Sequence, residues 1–84
     1  HDDTRNVLLT LARMWHTAVS ADFLSKDEAV MRALPMLGEQ DASTLDYARR
    51  AYLGEIADEW ETRRNAAQQL ADQLALNVTE ALSA

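Results

Sequence analysis

Cysteine is absent from this 84-residue sequence, which excludes disulfides and thiolate metal sites. No apolar run approaches the length of a membrane span, and no signal-peptide pattern opens the chain. A soluble, cytoplasmic protein is the expectation. Positive charge is scarce: eight basic residues stand against fourteen acidic ones, for a net charge of −6. Phosphate-backbone binding, where Lys and Arg footprints supply most of the affinity, is therefore disfavoured. A cationic ligand suits this balance, and so does a plain solvated surface. Proline occurs once and glycine twice, so few positions force a helix to break. There are no internal repeats or low-complexity segments, and no strand pattern competes with the helical one. The length allows one domain, 1–84, of a size that buries only about 60–65% of its unfolded surface, so its stability margin is thin.

What is present is helical spacing. Val7, Leu8, Leu11, Met14, Trp15, Ala18 and Val19 recur at intervals of three and four, which predicts a helix over Thr4 to Ser20 with that stripe in the core. Asp2, Asp3 and Thr4 precede it as helix-start residues. Ser25 and Glu28 have the spacing of a capping box and open a second helix, which Pro35 limits. Met36 to Ser43 reads as a loop around Gly38 and Asp41. A third helix is expected over Ala42 to Leu53, ended by Gly54. The last runs from Ile56 to Leu82, with Ile56, Trp60, Ala67, Leu70, Leu74, Val78 and Ala81 inward and Asp58, Glu61, Arg64, Gln68 and Asp72 in water. The fold class is all-α, an antiparallel bundle of four helices.

The first helix carries a second stripe, Asp3, Asn6, Thr10, Arg13 and Thr17, again at intervals of three and four. Spacing alone favours a solvated face over a binding face, because every amphipathic helix has such a stripe. Lys26 directly follows the cap Ser25, where its charge opposes the helix dipole. A bound anion there would be favoured by both the lysine and the helix start, although an exposed lysine costs only a few tenths of a kcal/mol at such a position. Trp15 and Trp60 are expected in the core. His16 has neither a second ligand nor a relay partner at useful spacing. Arg63 and Arg64 are expected to pair with Glu59, Glu61 or Asp58.

Two blocks carry more than periodicity. Asn6-Val7-Leu8-Leu9-Thr10-Leu11-Ala12-Arg13-Met14-Trp15 and Ala48-Arg49-Arg50-Ala51-Tyr52-Leu53-Gly54 resemble the C-terminal helical domain of bacterial streptomycin/spectinomycin adenylyltransferases. Members of that family read N-V-(V/L)-L-T-L-x-R-(I/M)-W and A-R-x-A-Y-L-G at these places. The resemblance runs from about Asp2 to Gly54 and then fades. It implies that drug and ATP meet in a cleft between this domain and an upstream nucleotidyltransferase domain, which would hold magnesium and the catalytic base. Asp3 matches an acidic drug-contact position. Asn6 matches a neighbouring one where some members carry histidine, and a further acidic position would fall before His1. Arg13, Lys26 and Tyr52 match the positions that reach ATP.

The function so implied is transfer of AMP from ATP to a hydroxyl of streptomycin or spectinomycin, which inactivates the antibiotic. Positive charge near the β- and γ-phosphates suits this chemistry, because pyrophosphate leaves as the drug hydroxyl attacks the α-phosphorus. The chain alone, without metal-bound carboxylates, is expected to be inactive. The competing class is a non-catalytic helical module that binds a protein partner or itself through an exposed apolar face. A helical toxin-type RNase is set aside, because its Arg-x(4–6)-His signature is missing.

Overall fold

The first helix begins and ends where the apolar spacing places it. In the computed structural model, which describes residues 3–20 and 24–83, α1 spans Thr4–Ser20. Asp2, expected at the helix start, lies outside the described residues. The Asp3 carbonyl accepts the first bond of α1 from the Val7 N–H at 3.1 Å, which makes Asp3 the cap residue. The buried stripe is narrower than expected and is centred elsewhere. Leu8, Leu9, Ala12 and Trp15 are buried, whereas Val7 and Met14 are 47% and 48% exposed and Val19 is also outside. The other helices all pack on α1, and they converge on the arc centred on Ala12. Val7 and Met14 are left on its flank.

Helix α2 (Lys26–Ala33) starts on Ser25, whose hydroxyl accepts the Glu28 N–H at 3.2 Å. The Glu28 carboxylate meets the Ser25 hydroxyl at 3.4 Å. Asp27 and Glu28 in its first turn complement the helix dipole. Pro35 does end α2, and the chain tightens into a 3-10 turn, Leu34–Met36.

Helix α3 (Glu39–Tyr52) begins three residues earlier than the pattern suggested. Gly38 is not a breaker but the cap residue, extended at φ −63°, and its carbonyl accepts the Ala42 N–H at 2.8 Å. Asp41, read as loop, sits in the first turn, where an acidic group is favourable. Gly54 ends α3 as expected. At φ +81° it occupies the left-handed region, and two bonds close the end, Gly54 N–H to Ala51 at 3.1 Å and Glu55 N–H to Arg50 at 2.9 Å. That is the Schellman pattern, which satisfies carbonyls the helix leaves free.

The largest correction concerns the fourth helix. It does not start at Ile56: α4 is Arg64–Ser83, entered through a 3-10 turn over Glu61–Arg63. Residues 55–60 form an irregular strap instead. The Tyr47 hydroxyl of α3 donates to the Ala57 carbonyl at 2.8 Å, lies 3.0 Å from the Glu59 carbonyl, and accepts the Glu59 N–H at 3.0 Å. Trp60 is buried edge-on against the Tyr47 ring, at 5.0 Å between centroids and 90° between planes. Its indole N–H donates to Asp58, which also pairs with Arg5 of α1 at 3.3 Å. Arg63 does not pair with an acid as expected; its guanidinium lies over Tyr47, 3.8 Å from the ring centroid. These contacts hold the backbone of the strap in a path that no helix could follow. From Arg64 onward the predicted stripe is right: Ala67, Leu70, Leu74 and Val78 are buried, and Gln68 and Asp72 face out.

The architecture is thus an all-α bundle of four helices, with no strand among the described residues. Tyr47 of α3 beside Trp60 and Arg63 puts the second half of α3 at the start of α4. Helix α2 likewise meets the end of α3 with its own start. Helices α1 and α4 lie side by side, starts together and ends together, as the residues lining their shared grooves show. The single core joins Leu8, Leu9 and Trp15 to Val30, Leu45, Leu70 and Leu74. A radius of gyration of 12.0 Å is that of a folded chain of this length, about 12 Å. No helix among the described residues is long and apolar enough to cross a membrane.

Candidate functional site

The five residues singled out by the sequence fall into two pairs and one separate side chain. Asp3 caps α1 and Asn6 lies one turn later, and the Asn6 amide donates to the Asp3 carboxylate at 2.8 Å. This contact leaves the second carboxylate oxygen of Asp3 for other partners. Together with Val7, Thr10 and Leu11 they line an open depression of about 270 Å³. Asp3 and Val7 also border a larger one of about 380 Å³ between the starts of α1 and α4, with Trp60 and Gln68 on its far side. Both are open and have the dimensions of part of a small-molecule site, the smaller with one wall from α1 and the larger with walls from α1 and α4.

Lys26 and Tyr52 form the second pair. The cap at Ser25 fixes Lys26 as the first residue of α2, and the Schellman turn at Gly54 fixes Tyr52 as the last of α3. Their helix ends meet, with the Lys26 ammonium 5.8 Å from the centroid of the Tyr52 ring. Tyr52 is 46% exposed, so this ammonium over an aromatic face is worth about 0.5–1 kcal/mol. The contact also supplies an ordinary reason for a lysine at a helix start. Both groups remain open to a ligand.

Arg13 lies elsewhere. It is exposed on α1 and lines a groove of about 470 Å³ with Met14, Thr17, Ala18, Val78 and Leu82, at the far ends of α1 and α4. The three residues matched to ATP contacts are therefore not gathered into one depression of this chain.

One charged cluster escaped the sequence reading. Arg49 sits in the last turn of α3, and its guanidinium reaches Asp46 at 3.1 Å through Nε and Asp27 of α2 at 3.2 Å through Nη1. The hydrogen bond that Arg49 donates to Asp27 holds the Arg49 pKa above its ordinary range, more than burial lowers it. The available signal was the Arg49 to Tyr52 spacing within the second block, which puts both on one face of a helix. No group of three or more His, Cys, Asp or Glu side chains able to hold a metal ion occurs among the described residues.

Comparison with known proteins extends the picture beyond Gly54. The family profile described as aminoglycoside adenylyltransferase, C-terminal domain, matches residues 1–77. A spectinomycin 9-adenylyltransferase of Staphylococcus aureus is 49% identical over 59 residues, covering 70% of this chain and 23% of its own length. One of Campylobacter jejuni is 41% identical over 80 residues, 95% of this chain and 31% of its own. An aminoglycoside (3'') (9) adenylyltransferase of Escherichia coli is 33% identical over 78 residues, 93% and 30% respectively. The chain thus spans less than a third of the length of these relatives.

Proposed function

Because the chain belongs to the family of aminoglycoside adenylyltransferase C-terminal domains, we propose that it is the drug- and ATP-contacting helical domain of such an enzyme. The reaction is transfer of AMP from ATP to a hydroxyl of streptomycin or spectinomycin. The hydroxyl oxygen bonds to the α-phosphorus, the bond from that phosphorus to the β-phosphate bridge breaks, and pyrophosphate departs. The hydroxyl proton goes to a base on the upstream nucleotidyltransferase domain, which also holds magnesium. Asp3 and Asn6 bind the drug, the carboxylate facing its cationic groups and the amide its hydroxyls. Lys26 and Arg13 offset charge on the phosphates, and Tyr52 lies beside the nucleotide. A cytoplasmic location suits an enzyme that draws on ATP.

The observation that best supports this reading is the meeting of Lys26 with Tyr52 at two capped helix ends. Two residues 26 positions apart, matched separately to ATP contacts, share one exposed corner. The open depressions at Asp3 are consistent with a cleft that a second domain completes. Titration of the isotope-labelled chain with magnesium-ATP, followed by NMR, should move Lys26, Tyr52 and Arg13. Streptomycin or spectinomycin should move Asp3 and Asn6. No AMP transfer is expected from the chain alone. Silence at all five positions, with no AMP transfer after a relative's nucleotidyltransferase domain is fused upstream, would sink the proposal.

Exposed Val7, Met14 and Leu82 favour a second reading, a helical module that binds a protein partner or itself. A chain that dimerises in light scattering and ignores magnesium-ATP in either form would support that reading.

A further inference from the structure

The Lys26–Tyr52 contact is long and half-exposed, yet it joins two helix ends whose relative position nothing in their own backbones dictates. The end of α3 is set locally by Gly54, through the two bonds that close it. The start of α2 is capped locally by Ser25 and Glu28, which leaves its position relative to α3 to contacts between the two helices. Directly beside it, Asp27 meets Arg49 at 3.2 Å across 22 residues of sequence. Arg49 is simultaneously braced by Asp46 at 3.1 Å. Its side chain is only 21% exposed, although that of Asp27 is 41% exposed.

We propose that Arg49 is a positioning residue: by bridging Asp27 and Asp46 it clamps the start of α2 to the end of α3 and so sets where the Lys26 ammonium sits. The planar guanidinium presents two donors along different edges, which lets one side chain hold a carboxylate on each helix. A lysine, a single point charge, reaches one or the other. Both charges also sit where the helix dipoles favour them, the acid at the start of α2 and the base at the end of α3. Arg49 and Tyr52 are three residues apart on α3, and Asp27 and Lys26 are neighbours on α2, so the two contacts run side by side. The consequence for ATP rests on the reading given above for Lys26 and Tyr52; the consequence for geometry does not.

The test uses the 84-residue chain with Arg49→Gln, Asp27→Asn, Arg49→Lys and, as a reference for a lost ring, Tyr52→Leu. The ε-methylene protons of Lys26 report the Tyr52 ring through its ring current. Arg49→Gln and Asp27→Asn should each move them most of the way to their position in Tyr52→Leu, with the Leu70 and Leu74 methyl signals of the core unmoved. Arg49→Lys should recover part of the shift. The magnesium-ATP concentration that half-shifts Lys26 should rise about three- to fivefold in Arg49→Gln, the scale of a partly exposed ion pair. Unmoved Lys26 protons in either folded variant would overturn the clamp; should Arg49→Gln fail to fold, Asp27→Asn on the more exposed partner decides. A wild-type chain whose Lys26 ignores magnesium-ATP, but whose ε-protons still respond to Arg49→Gln, would retain the clamp and remove the ATP role.

Discussion

The two faces of α1 make unlike use of apolar side chains. On the inner face Leu8, Leu9 and Ala12 are almost entirely buried, and Trp15 nearly so. On the outer face Val7 and Met14 stand half-exposed among Asp3, Asn6, Thr10 and Arg13. The inner face is fully engaged by α2, α3 and α4, so the fold of this chain does not need the outer one. Apolar groups placed at three- and four-residue spacing between charged and amide side chains form a surface suited to being covered by something else, such as the second domain of the proposed cleft. The difference teaches that one side of the helix carries the packing on which stability rests and leaves the other side free for the recognition proposed above.

Cutting the inner side should have the largest effect. Leu9→Ala removes a fully buried side chain from the centre of the bundle and should cost about 2–5 kcal/mol. In a chain this small that is a large share of total stability, about 5–15 kcal/mol at most, and thermal denaturation should show a collapse of the melting temperature. Tyr47→Phe comes next. It keeps the ring that packs on Trp60 but deletes the hydroxyl bonded to the strap at Ala57 and Glu59, for an expected loss of about 1–2 kcal/mol. Amide exchange should accelerate at Glu59 more than in α1, and uniform acceleration would show that the strap does not open on its own.

The strap also marks where sequence reasoning stops. The ends of α1 were legible to the residue from its helical spacing and local start signals, whereas its buried face was not, because the packing of the other helices selects Leu9 and Ala12 over Val7 and Met14. Gly54 was legible because only a residue tolerant of positive φ fits the closing turn it makes. Ile56 to Arg63 contains neither glycine nor proline and continues an apparently helical stripe, yet Tyr47 and Arg5 capture it from other elements. Those contacts are tertiary, and no local pattern announces them. Gly38 failed in the opposite direction: a glycine reads as a break, although in extended geometry it serves as a cap. At the candidate site, the turn-spaced contact between Asp3 and Asn6 could be read from one helix, whereas Lys26 over Tyr52 required knowing how α2 meets α3. The family resemblance selected those residues individually; their association, and the Arg49 clamp, came from the fold.

The outer face offers a sharper comparison. Val7→Ser or Met14→Lys should shift stability by no more than about 0.5 kcal/mol, because these side chains fill no part of the core. In a fusion with a nucleotidyltransferase domain the same changes should weaken association of the two halves, measured by the ionic strength and temperature at which activity is lost. A loss of stability comparable to Leu9→Ala in the isolated chain would break the division between the faces.

The smallest effect on stability is expected at Lys26→Met. Two terms oppose each other there. Removing the ammonium loses its contact with the Tyr52 ring, about 0.5–1 kcal/mol at an exposed site. It also relieves a positive charge from the first turn of α2, worth about 0.3–1 kcal/mol in the other direction. The sum lies close to zero, so chemical denaturation should barely distinguish the variant from the parent chain. Binding of magnesium-ATP has no such cancellation, because a phosphate at that corner loses the cation and gains nothing in return. A folded Lys26→Met chain that no longer shifts at Tyr52 with magnesium-ATP would separate recognition from stability at one residue. A chain that responds as the parent does would assign Lys26 to the dipole balance alone.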